Sequence, residues 1–90
     1  MTGIAGIKIK IMPTSPEVNL KEIEDKAKEI VGGEGGFNRQ YEIEPIAFGL
    51  KAIIAFFEWP EEKEIEYLEE KLGNIENVQS VQTIDMRKIA

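Results

Sequence analysis

The sequence predicts an α+β fold, a four-stranded antiparallel sheet with two helices on one face, in the order βαββαβ. Three observations predict it. Four segments either alternate apolar and polar residues or run apolar over the length of a strand. Two segments between them repeat apolar residues at helical spacing. The elements fall as strand, helix, strand, strand, helix, strand, so two β-α-β halves with right-handed crossovers close one sheet.

The first strand is read from Ile7, Ile9 and Ile11 alternating with Lys8 and Lys10, one face buried and one wet. Pro13 and Pro16 stop it. Asn19 then stands as a helix N-cap, with Glu22 placed to complete a capping box and Val18 and Ile23 placed as a hydrophobic staple. Leu20, Ile23, Ala27, Ile30 and Val31 form the apolar stripe of the first helix, and Glu22–Lys26 and Glu24–Lys28 are spaced for ion pairs. Gly32 and Gly33 end it. The link "GGEGG" has no lysine followed by serine or threonine, so it reads as a helix stop plus a loop and not as a phosphate-binding loop.

Phe37, Arg39, Tyr41 and Ile43 alternate with Asn38, Gln40, Glu42 and Glu44, giving a second strand exposed on one side. Leu50 to Trp59 is a third strand, apolar on both faces and therefore central. Pro60 suits the first turn of a second helix, whose stripe is Ile65, Leu68 and Leu72 and which Gly73 closes. The last strand runs from Val78 to Arg87. Its alternation changes phase between Val81 and Ile84, which predicts a bulge or a register break there. The result is a ferredoxin-like sandwich, an architecture that hosts many activities and does not by itself give function.

Ninety residues suit one domain, 1–90, with a modest core. No apolar run approaches the roughly 18 residues of a membrane span, and the N-terminus alternates where a signal peptide would be uninterrupted; the expectation is a cytoplasmic protein without membrane contact. Cysteine and histidine are both absent, which removes disulfides, thiol chemistry, the usual zinc sites and the commonest general base near neutral pH. A net charge of −6, with Arg39 and Arg87 as the only arginines, argues against direct nucleic-acid binding. Glu61, Glu62, Glu64, Glu66, Glu69 and Glu70 read as the solvated face of a helix, since nothing supplies the burial or partner that shifts a carboxylate. No spaced Asp/Asn loop suggests calcium, and Ser15 and Ser80 have no histidine to activate them. Phe56, Phe57 and Trp59 have only Lys51 as a basic residue on their strand, so they read as core and not as an RNA-stacking platform. The expectation is a non-enzyme with no metal and no cofactor.

What this leaves is "EPIAFGLKA", Glu44 to Ala52. A link between antiparallel strands is ordinarily polar, with Asn-Gly or Gly-Gly at its tip. Here it carries Ile46 and Phe48, with Pro45 fixing the approach and Gly49 able to take a positive φ. Two readings stand: Ile46 and Phe48 fold back onto the open side of the sheet, or they protrude as an apolar wedge for a protein partner.

The same stretch resembles the strand-turn-strand motif of the guanine nucleotide exchange domain of translation elongation factor 1-beta. "VQSVQTIDMRKI", Val78 to Ile89, resembles that domain's C-terminal strand and tail. The resemblance runs from near Met1 to Ala90, and the length matches the short archaeal form. It implies a factor that promotes GDP release and GTP rebinding on the GTPase elongation factor 1-alpha during peptide chain elongation, by protein–protein contact alone. By its place in "IAFGL", Phe48 would enter the GTPase, with Ile46 and Gly49 beside it. By its place in "MRKI", Lys88 would approach the magnesium and β-phosphate, with Arg87 next to it. Two other readings share the sandwich: an ACT-like small-molecule-binding regulatory module, with the glycine-rich link as its contact, and an acylphosphatase-like hydrolase, for which "MPTSPE" lacks the arginine-bearing phosphate loop.

Overall fold

β1 (Ile4–Pro13), α1 (Leu20–Gly33), β2 (Phe37–Pro45), β3 (Lys51–Pro60), α2 (Ile65–Gly73) and β4 (Val78–Lys88) follow one another in βαββαβ order. They are seen in a computed structural model that describes residues 3–89; Met1, Thr2 and Ala90, at the ends of the expected range, lie outside the described residues. The four strands form one antiparallel sheet in the order β2-β3-β1-β4. This is the ferredoxin-like arrangement expected from the element order.

The central pair follows from composition. β3 is apolar on both faces and sits between β2 and β1. Residues opposite each other in an antiparallel pair share a face. The ladder from Ile4–Pro60 to Ile11–Ile53 therefore puts Ala5, Ile7, Ile9 and Ile11 on the same side as Ile53, Ala55, Phe57 and Trp59. These residues join Ile23, Ala27 and Val31 of α1 and Leu68 and Leu72 of α2 in one buried cluster. Phe57 and Trp59 meet edge to face at 6.1 Å, and the Trp59 indole N–H donates to the Lys63 carbonyl at 3.1 Å. The other face of the sheet carries Ala52, Ile54 and Phe56 of β3 beside Gly6, Lys8 and Lys10 of β1.

Local chemistry sets the element ends, with some departures from expectation. Asn19 caps α1, its Oδ1 accepting from the Lys21 backbone N–H at 3.0 Å. Glu24–Lys28 pairs at 3.0 Å; among the described residues the second ion pair of this helix is Lys21–Asp25 at 2.7 Å, and Glu22–Lys26 does not form. Gly32 and Gly33 are the last two helical residues, but the left-handed turn falls on Gly35 (φ 93°). Gly36 N–H donates to the Val31 carbonyl and Gly35 N–H to that of Gly32, a Schellman closure. Gly73 likewise ends α2, and the positive φ of that connection lies at Asn77 (φ 71°).

Pro60 does not open α2. It ends β3 opposite Ile4, where the missing N–H is tolerated, and α2 begins later, after Glu64. β2 does not keep one alternation throughout. Its register with β3 slips between Asn38 and Gln40, leaving Arg39 as an extra residue and moving Phe37 to the open face. The cause is Asn38, which turns toward α1, donates to the Lys28 carbonyl at 3.0 Å and accepts from the Tyr41 hydroxyl at 2.7 Å. The register shift of β4, between the Lys8–Asp85 and Ile9–Thr83 rungs, leaves Ile84 unpaired, within the window the sequence marked.

The two glycines at the end of α1 and in the following link should respond oppositely to alanine. A Cβ on Gly36 would stand 2.7 Å from Val31 Cγ1 and 3.1 Å from the Val31 carbonyl oxygen, so Gly36→Ala is expected to cost about 1–3 kcal/mol in urea unfolding. A Cβ on Gly32 meets only Asn38 Nδ2, at 4.0 Å, so Gly32→Ala is expected to stabilise by about 0.5–1 kcal/mol. Loss of stability at both sites would contradict the packing described.

Candidate functional site

The β2–β3 hairpin turns within Ile46–Leu50. Leu50 N–H donates to the Ala47 carbonyl at 3.0 Å, and Ile46 N–H donates to the Leu50 carbonyl at 2.8 Å. Both central residues have positive φ, 57° at Phe48 and 80° at Gly49. This is the signature of a type I′ turn, whose preferred pair is Asn-Gly. Gly49 suits its position. Phe48 does not: the left-handed region costs an L-residue about 1–2 kcal/mol, and a bulky side chain there is an outlier. Nothing inside the domain offsets that cost, because Phe48 is 97% exposed. Phe48 therefore does not fold back onto the sheet. Ile46, at 38%, sits at the root of the projection, and Pro16 lies beside Gly49.

The other expected residues lie at the far end of the sheet. β1 runs antiparallel to both β3 and β4, so the rung Ala5–Lys88 sits beside Ala5–Trp59, at the end away from the hairpin. From that rung to Lys51 at the root of the turn is about 26 Å at a strand rise of about 3.3 Å per residue. The molecule itself is 45 Å long. Ile46, Phe48 and Gly49 thus form one group and Arg87 and Lys88 another. The tail also divides between the two faces. Arg87 opposes Gly6 on the open face and pairs with Asp85, Nε to Oδ2 at 3.1 Å. Lys88 opposes Ala5 on the helix side; it is exposed and has no ion-pair partner among the described residues.

Between the two ends, the open face holds a shallow groove of about 360 Å³, lined by Lys8, Gln40, Phe56, Asp85, Arg87 and Ile89 among others. The Lys8 ammonium lies 5.8 Å from the Phe56 ring centroid. The glycine-rich link is engaged within the chain: the Lys63 ammonium donates to the Glu34 carbonyl, and Lys71 pairs with the Glu34 carboxylate at 3.0 Å. That hydrogen bond with Glu34 holds the Lys71 ammonium above the ordinary lysine range. Glu61, Glu62, Glu64, Glu66 and Glu70 are exposed, and Glu69 accepts from the Thr83 hydroxyl at 2.7 Å. No group of three or more metal-ligating side chains occurs among the described residues, and no described helix is long and apolar enough to cross a membrane.

The family description of the EF-1 guanine nucleotide exchange domain matches residues 6–89, a span that includes both the hairpin and the tail. The chain belongs to that family. Its exchange-domain relatives include the elongation factor 1-beta of Methanococcus aeolicus, 44% identical over 86 residues, which cover 93% of this chain and 96% of that one. That of Methanocaldococcus jannaschii is 44% identical over 80 residues, 88% of this chain and 90% of the other. That of Archaeoglobus fulgidus is 43% identical over 86 residues, 93% and 96% of the two chains. Among solved structures the exchange domain is similar in fold to the C-terminal domain of the MgtC protein from Mycobacterium tuberculosis, with a TM-score of 0.72 at 11% identity, covering 97% of this chain and 89% of that one. It is similar also to the ACT domain from the GTP pyrophosphokinase of Chlorobium tepidum, with a TM-score of 0.58 at 14% identity, covering 93% and 100%. At these identities the likeness is one of fold alone.

Two features of the exchange domain escaped the sequence reading. The left-handed conformation of Phe48 was legible in principle, since Gly49 stands where the second residue of a type I′ turn would. The contact between Gly6 and Ile89 had no sequence signal, because only the β1–β4 register brings them together. The strain at Phe48 is measurable. Phe48→Asn puts the residue that tolerates this conformation into the turn and removes no packing, so it is expected to raise unfolding stability by about 1 kcal/mol. A lower stability for Phe48→Asn would show that Phe48 makes internal contacts after all.

Proposed function

We propose that this chain, acting over residues 1–90 as a single guanine nucleotide exchange domain, speeds the release of GDP from elongation factor 1-alpha and so allows GTP to rebind during peptide elongation in the cytoplasm. The observation that carries the proposal is Phe48, an aromatic side chain held at a positive φ and 97% exposed at the tip of a hairpin. A residue that costs stability where it stands and packs on nothing within its own domain is best explained by a partner that receives it. Family membership supports the same reading, as do the relatives named elongation factor 1-beta.

Lys88 supplies the second element. Its ammonium is exposed at the end of β4. GDP is held in a GTPase largely through its phosphates and the magnesium ion they share. A lysine brought to that site competes with the metal for the same charge and loosens the nucleotide, while Phe48 shifts the loops that shape the pocket. Coupling is reciprocal: a partner that binds the nucleotide-free GTPase more tightly weakens nucleotide binding by the same factor. No bond is made or broken and no proton moves, so the chain works without histidine, cysteine or an activated serine and is not an enzyme in its own right. The ACT-like alternative rests on fold alone.

The test is the rate of GDP release from elongation factor 1-alpha, followed with a fluorescent GDP analogue chased by GTP, with and without this chain. Release should accelerate at micromolar concentrations. Lys88→Ala and Phe48→Ala should each lower the acceleration by about tenfold or more, with no loss of stability. Release unchanged by the parent chain would refute the proposal.

A further inference from the structure

Beyond Lys88, the last hydrogen bond of the β1–β4 ladder is donated by Ile89 N–H to the Ile4 carbonyl at 2.8 Å. The Ile89 side chain turns onto the open face, into the groove that Arg87 and Phe56 also line. There it lies directly on the backbone of Gly6. A Cβ at position 6 would stand 2.7 Å from Ile89 Cδ1, 3.2 Å from Ile89 Cγ1 and 3.3 Å from Phe56 Cε1. Gly6 is not among the residues of positive φ, so the backbone does not demand glycine here. The seat of Ile89 does.

Ile89 is also a poor candidate for a core residue, being 53% exposed. Its truncation removes little buried area. What it does instead follows from its place. The last residues of an edge strand such as β4 fray unless something ties them down, and Ile89 is the tie immediately after Lys88. Successive residues of a strand point to opposite faces, so seating Ile89 on the open face turns Lys88 to the helix side.

We propose that Ile89 is a positioning residue for Lys88: seated in the notch that glycine leaves at position 6, it pins the end of β4 and fixes where the Lys88 ammonium is presented. The inference rests on the exchange role given above to Lys88. A long side chain presented from a fixed backbone loses less freedom on docking than one on a frayed end. Ile89 thus acts on exchange through Lys88 and contributes little to the fold.

The experiment is GDP release from elongation factor 1-alpha at saturating and limiting concentrations of the full chain, for the parent, Ile89→Ala, Ile89→Leu, Gly6→Ala, Lys88→Ala and the Lys88→Ala/Ile89→Ala double variant. Ile89→Ala should lower the maximal rate by about two- to tenfold, the scale of one side chain's ordering cost, with unfolding stability unchanged. Ile89→Leu should restore it. Gly6→Ala, which displaces the flexible end of Ile89 from below, should show the same loss. In the Lys88→Ala background, Ile89→Ala should have no further effect, because the residue it positions is gone. Full activity of Ile89→Ala or of Gly6→Ala, or an undiminished Ile89→Ala loss in the Lys88→Ala background, would overturn the inference while leaving Lys88 its role. Full activity of Lys88→Ala would instead remove the exchange role of Lys88, and this inference with it.

Discussion

The antiparallel pairing of β1 with β3 is the constraint on which the rest of the structure depends. Its register, from Ile4–Pro60 to Ile11–Ile53, puts every inward residue of the two central strands on one side, where α1 and α2 cover them. A slip of one residue would turn one strand over relative to the other, exposing Ile7 and Ile9 if β1 turns, or Phe57 and Trp59 if β3 does. The same ladder determines where each end of the molecule lies. β3 leads out of the hairpin at one end of β1, and β4 comes to its own end beside the other. The hairpin and the tail are therefore held about 26 Å apart by strand length, on a frame whose core leaves little freedom for them to approach. A partner that engages both must span the sheet.

On the proposed exchange role, stability and function pull in different directions at the hairpin. A type I′ turn works best with Asn at the position that Phe48 occupies. Phe48 there costs the free domain about 1–2 kcal/mol, a large share of the net stability of a chain this small. The tail shows a milder form of the same trade. Gly6 gives up the side chain it could carry on a central strand, and the space is filled by Ile89 from the end of β4. In both places a local rule is set aside at a residue to which the proposed exchange role gives a part.

Much of this was legible in the sequence. Lys8 and Lys10 alternating with isoleucines defined β1, and the doubly apolar run before Pro60 identified a central strand. The phase change before Ile84 marked the bulge of β4. What was not legible depended on contacts between distant segments. Phe37 appeared to share a face with Tyr41 until Asn38, by reaching the Lys28 carbonyl, inserted a bulge at Arg39. Pro60 looked like a helix start because proline suits both a first helical turn and the end of a strand, and only its pairing with Ile4 decides between them. The motif residues Phe48 and Lys88 could be picked out by position, but their separation follows from topology.

The most direct measurement is amide hydrogen exchange of this chain, alone and in a 1:1 complex with nucleotide-free elongation factor 1-alpha. If one partner engages both ends of the sheet, exchange slows together at residues 46–50 and 86–89 and stays unchanged on the outer surface of α1 around Lys21 and Asp25. Slowing at only one of the two ends would contradict the two-ended engagement.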